Sequence, residues 1–204
     1  TSVHAIQSHI DTIIHRRKPF VVTSTYIGPD RRQDPAHTSD IRLIDVPNTL
    51  LSKVQGRQID PVALKNEIAR VLKTINGERL KRNAFELSFL IEVILGDYGA
   101  GEPVARTGHI VERLRQVVQD TADRLVGTPY EHNNGICQSL LRVAESIAAD
   151  FRNPASKDIA LLKPLSDAVL LSFNPDRSAA EMAQEISNSI DQFKARTLGS
   201  NAPA

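Results

Sequence analysis

Aromatic residues and sulfur are scarce in this chain. Six Phe, three Tyr and no Trp make up 4% of its 204 residues, beside a single cysteine, Cys137, and a single methionine. One cysteine excludes an internal disulfide framework and any multi-cysteine zinc or iron–sulfur site. Sheet proteins and base-stacking nucleic-acid binders draw on aromatics, so their scarcity favours an aliphatic helix bundle. Charge of one sign is lacking too. The 25 Lys/Arg stand against 24 Asp/Glu, a net of +1, so no global field draws the chain to nucleic acid or anionic lipid. No apolar run approaches the roughly eighteen residues of a membrane span, and no signal-peptide pattern is present. The expectation is a cytoplasmic protein without membrane contact. A first residue of Thr instead of Met reads as a chain cut from something longer.

What is present is aliphatic periodicity with explicit punctuation. Val3, Ile6, Ile10, Ile13 and Ile14 form a helical stripe over residues 1–17. Pro19 stops it, and Phe20 to Ile27 reads as a short extended segment. Five of the eleven prolines (Pro19, Pro29, Pro35, Pro47 and Pro61) crowd the first third, which predicts an irregular arm over 18–58. Residues 1–58 hold eight Lys/Arg and five Asp/Glu, so a basic arm adjoins a faintly acidic remainder.

From residue 59 to 198 the pattern is helix after helix. Asp60 and Pro61 open the first, and Asn76-Gly77 is expected to end it. Asn83 with Glu86 resembles a capping box for a second helix running to Gly96, with a loop at 96–101. A third runs from about Val104 to Leu125, and a fourth is capped by Asn133 or Asn134. The fifth covers about Ser156–Phe173, with a restart expected at Pro164. Ser178 and Glu181 form the cleanest capping box and open the last helix, before a loose tail at 199–204. The predicted fold class is all-α: an up-and-down bundle of five or six helices, with an N-terminal helix and an extended Pro-rich arm.

Catalytic constellations are hard to find in this pattern. Six histidines (His4, His9, His15, His37, His109 and His132) lack paired Glu-x-x-His or four-apart spacing on the bundle helices, so no metal is expected. Cys137 sits beside an apolar helix position without a partner base. Gly96-x-x-Gly99-x-Gly101 has neither the Walker lysine nor a preceding strand, and no cofactor is expected. His109 is the most interesting histidine, placed on a helix face with Arg113, Gln116 and Asp120. A surface imidazole of this kind can accept phosphate from a partner's aspartyl group. However, Glu112 stands where such sites place a base. His132, in Glu131-His132-Asn133-Asn134, falls at a loop or cap. A solvated surface histidine is the favoured account of both.

One segment resembles a known family. Lys18-Pro19-Phe20-Val21-Val22-Thr23-Ser24-Thr25-Tyr26-Ile27-Gly28-Pro29-Asp30-Arg31-Arg32, with the stripe of residues 5–17 before it, is similar to the tail directly after the CheY-like receiver domain in a group of bacterial response regulators. The resemblance covers about a seventh of the chain, and the helical remainder has no such likeness. It implies that a phosphoacceptor domain precedes Thr1, since the strands whose ends carry a receiver's acidic pair and phosphorylatable Asp are not present here. What remains would be a signalling helix, the tail and a helical output domain. Gly28-Pro29-Asp30 favours a fixed turn that would present Arg31 and Arg32 together on an extended strand.

The expected function is therefore a non-enzymatic signal-transduction module that acts through protein contacts. Tyr26, Gly28, Pro29, Asp30, Arg31, Arg32, Arg16, Arg17 and Lys18 are its candidate interaction residues. Val3, Ile6, Ile10, Ile13 and Ile14 are its candidate self-association stripe, in a homodimer. Two alternatives stand beside it. One is a histidine phosphotransfer or kinase-dimerisation domain using His109 or His132. The other is a nucleic-acid-binding regulator working through the basic arm, which the near-zero net charge disfavours.

Overall fold

The computed structural model describes residues 2–23, 25–32, 41–101 and 105–199. They fall into two compact units, Thr1–Arg79 and Leu80–Ala204. His37, Pro35, Val104 and residues 200–204 lie outside the described residues.

The first unit opens with α1 (Val3–His15), whose Ala5 amide is capped by Ser2 Oγ at 3.2 Å. The arm then departs from the sequence expectation. Instead of one extended segment it doubles back as an antiparallel hairpin, β1 (Phe20–Val22) with β2 (Ile27–Pro29), in the register Phe20↔Pro29 and Val22↔Ile27. Ile44 adds a bridge, exchanging both backbone bonds with Phe20 at 2.7 and 2.8 Å. A short helix, α2 (Thr49–Val54), follows where irregular chain was expected. Prolines at the ends of these elements limit their length without forbidding them. Val22, Ile44 and Val71 are buried together with Phe20, Val46 and Ile75 against them.

The helix α3 runs unbroken from Pro61 to Gly99. Asp60 caps it as expected, its carboxylate accepting from the Val62 amide at 2.9 Å. The predicted break at Asn76-Gly77 is absent, and so is the loop beginning at Gly96. A glycine inside a helix costs about 1 kcal/mol relative to alanine, which tertiary burial on both sides outweighs. Val71 is buried before it, and Leu80, Ala84 and Leu87 after it. Asn83 is consequently no cap. It is buried mid-helix.

The second unit is an all-α bundle. It comprises the C-terminal part of α3, α4 (Ala105–Leu125), α5 (Asn134–Ala149), α6 (Ser156–Phe173) and α7 (Ala179–Gly199). α4 packs on α5 and α5 on α6, neighbours in sequence and in space. One contiguous core joins all five, including Ile91, Leu114, Leu140, Leu162 and Met182. Gly127 ends the α4 segment with φ +73°, the left-handed conformation that favours glycine. The Ser178–Glu181 capping box forms reciprocally, at 3.1 and 3.2 Å. Two expected boundaries fail. α6 continues through Pro164 without restarting, its neighbours Leu162 and Ser166 held in the core. Asn133 precedes α5 but does not cap it with its side chain.

Candidate functional site

The hairpin explains its own sequence. Thr23 closes the turn, its amide donating to the Tyr26 carbonyl at 2.8 Å while its hydroxyl accepts from the Tyr26 amide at 3.0 Å. Arg79 fixes the same turn by donating to the Thr23 carbonyl at 2.6 Å. The Tyr26 ring then lies across Gly28, and its hydroxyl donates to the Pro29 carbonyl at 3.0 Å. A Cβ on residue 28 would stand 2.5 Å from that hydroxyl, so the ring can lie there only while residue 28 is glycine. Gly28 and Pro29 are therefore strand residues, not the turn expected from Gly28-Pro29-Asp30.

The two arginines of the motif line one open pocket of about 420 Å³, with Tyr26 and Asp30, but each is already engaged within the hairpin. The Arg31 guanidinium lies over the Tyr26 ring, 5.0 Å from its centroid. Arg32 grips Asp30 as a fork, Nε to Oδ1 and Nη2 to Oδ2, both at 2.8 Å. Hydrogen bonds from the Arg32 side chain and then its amide hold the Asp30 carboxyl down at about 2. Tyr26, Gly28, Pro29, Asp30, Arg31 and Arg32 thus engage one another before any partner arrives.

The more exposed cations lie at the end of α1. Arg16 is paired only loosely with Asp11, at 3.7 Å, and its side chain is 78% exposed. Arg17 donates to the Pro47 carbonyl at 3.0 Å and covers the Phe20 ring. Lys18 is exposed beside them. These three residues rim an open groove of about 500 Å³ whose walls include Ile13, Pro29 and Leu50. Asn48 holds the walls in place. Its amide nitrogen donates to the Ile14 carbonyl at 2.9 Å, and its oxygen accepts from the Leu51 amide at 3.1 Å. One side chain therefore closes the end of α1 and opens α2. Sequence reasoning missed Asn48 and Leu50, although Pro47-Asn48-Thr49 carries a helix-start signal that the surrounding prolines obscured.

The aliphatic stripe of α1 faces outward. Val3, Ile6, Ile10 and Ile13 are 71%, 51%, 48% and 54% exposed, and Ile14 is half-buried. No residue of this helix is buried.

In the bundle, His109 is exposed on α4, as its helical position implied. Its expected companions are otherwise engaged. Arg113 donates from Nε to Glu86 at 2.7 Å, and Asp120 accepts from Asn83 at 2.8 Å and from Arg124 at 2.9 Å. Glu112 is held at about 2 by hydrogen bonds from Arg115 first and Gln116 second, so an anion stands permanently three residues beyond His109. His132 lies in a 3₁₀ turn, Glu131–Asn133, with Nδ1 3.1 Å from the Pro129 carbonyl. Cys137 is fully buried, and burial pushes its thiol up to about 11. Among the described residues no group of His, Cys, Asp and Glu could hold a metal ion, and no helix is long and apolar enough to cross a membrane.

The chain matches no family model, no curated protein and no solved structure.

Proposed function

We propose that this chain is a non-enzymatic signal-transduction module, the helical output or partner-binding region of a response-regulator-like protein, acting through protein contacts and self-association. The observation that carries the contact reading is the outward aliphatic stripe of α1, a helix with nothing buried. An isolated helix of this length is marginal in water, so a surface that covers it is strongly favoured. Burying an exposed aliphatic side chain contributes roughly 1.5–3 kcal/mol, and these four are about half covered already. Two stripes facing each other would then gain about 8 kcal/mol. Association itself costs roughly 4–15 kcal/mol, so the stripe alone supports at most a weak dimer of about millimolar Kd, and tighter pairing needs further contacts.

Sedimentation velocity across a concentration series tests this. The expected result is a monomer–dimer equilibrium that Ile6→Ser with Ile10→Ser abolishes without loss of helical content. A strict monomer at all concentrations removes the self-association part. The response-regulator part is supported by the Tyr26-to-Arg32 resemblance, and the gene upstream of the Thr1 codon tests it. An upstream sequence without receiver strands and their acidic residues removes that part.

The exposure of His109 on α4 keeps one second reading, histidine phosphotransfer. Incubation with a phosphorylated receiver, with acid-labile phosphate as the readout, separates the two. Transfer that His109→Ala abolishes would replace the contact-only reading.

A further inference from the structure

We infer that the groove between α1 and α2 binds an acidic, aliphatic-bearing peptide segment of a partner protein, with carboxylates on Arg16, Arg17 and Lys18 and aliphatic side chains against Leu50 and Pro29. This rests on the protein-contact reading and names the partner's chemistry. Three observations carry it. The first is charge. Arg16, Arg17 and Lys18 line one groove, where the nearby carboxylates are Asp11, 53% exposed and 3.7 Å from Arg16, and Asp30, which feels the Lys18 charge but is gripped by Arg32. Arg and Lys beside an apolar floor complement a segment that alternates acids with aliphatics.

The second is shape. Ile13 and Leu50 are 54% and 45% exposed and the Arg16 side chain 78%, so the groove is open to a chain lying across it and does not enclose a small molecule. Its aliphatic walls would be wasted on a bare phosphate. The third is preorganisation. Asn48 ties the two walls together, and Arg17 is already held by the Pro47 carbonyl and the Phe20 ring, so less order is lost on binding. Nucleic acid fits less well. The aromatic rings nearby, Phe20 and Tyr26, are each covered by an arginine and offer bases no stacking platform.

Fluorescence anisotropy on the full chain tests the inference, with a short labelled peptide of alternating Glu and Leu as probe. Gln–Leu and Glu–Ser peptides of equal length and a single-stranded DNA oligonucleotide are the comparators. The Glu–Leu peptide is expected to bind at least about tenfold more tightly than all three, with an affinity that falls as salt is added. Arg16→Glu with Lys18→Glu should weaken it about tenfold or more, and Leu50→Ser about fivefold. These side chains are exposed, so the fold should survive both changes. Ile13 belongs to the self-association stripe as well, which makes Leu50 the cleaner apolar test. Ile6→Ser with Ile10→Ser should leave peptide binding unchanged. Equal binding of either control peptide or of the oligonucleotide overturns the inference, as does insensitivity to the charge reversal or to Leu50→Ser. No peptide binding by a chain that still dimerises overturns the groove assignment and leaves the protein-contact reading standing.

Discussion

Asn48 is one residue on which two helices depend, and replacing it separates their contributions. Asn48→Ala removes the acceptor for the Leu51 amide and the donor to the Ile14 carbonyl. Loss of an N-cap costs about 1 kcal/mol and loss of a half-buried hydrogen bond about 1 kcal/mol more, so the local destabilisation is about 2 kcal/mol. Asn48→Asp keeps the cap on α2 but loses the donor and sets a carboxylate against the α1 carbonyls. Native-state hydrogen exchange reads both variants residue by residue. In the alanine variant, amides of α2 and of the last turn of α1 should each exchange about fivefold faster, the factor that about 1 kcal/mol per helix implies. In the aspartate variant only the α1 amides should accelerate. The bundle amides should not move in either. Unchanged α1 protection in both variants would refute the idea that Asn48 closes this helix.

Other outcomes follow from single geometries. Gly28→Ala should drive the Tyr26 ring off the hairpin and cost about 2 kcal/mol through the lost hydroxyl bond and arginine stacking, seen as faster exchange of the Val21 and Val22 amides. The Asp30 carboxyl lies below its ordinary 3.8, so its contribution is full above pH 4 and is lost as pH falls through about 2. Hairpin protection should decline across that window, and Asp30→Asn should flatten the decline. Gly77→Ala should stabilise the chain by about 0.5–1 kcal/mol in urea denaturation. Nothing lies within 4 Å of the added methyl, and the backbone there is ordinary helix.

Helix existence was legible in the sequence because aliphatic spacing and capping residues agreed with each other. Asp60-Pro61, Ser178 with Glu181, and Gly127 all do in the fold what their chemistry predicts. Boundaries failed where a local signal met a stronger tertiary demand. Asn76-Gly77 reads as a stop, yet burial of Val71 and Leu80 on either side carries α3 through it. Asn83 reads as a cap, but its amide is needed inside the bundle, donating to Asp120 and to Thr121 at 2.8 and 3.1 Å. The site was half legible. Its cations and stripe stood out by composition, whereas the hairpin pairing of Phe20 with Pro29 is a non-local register that no periodicity announces. For that reason the partners of Arg31 and Arg32 within the hairpin, the Tyr26 ring and the Asp30 carboxylate, could not be read from the sequence.

α3 spans two compact units, Thr1–Arg79 and Leu80–Ala204. The units differ sharply in how well they are sealed. Among the described residues, eleven of the fourteen exposed large hydrophobic side chains lie in the first unit, although the second holds most of the core. The first unit therefore sits at the low end of the chain's local stabilities, and whatever covers its aliphatic surface adds directly to its folding free energy by mass action. If a partner or a second copy covers that surface, amides in the early turns of α3 should exchange more slowly, while those beyond Leu80 should not change.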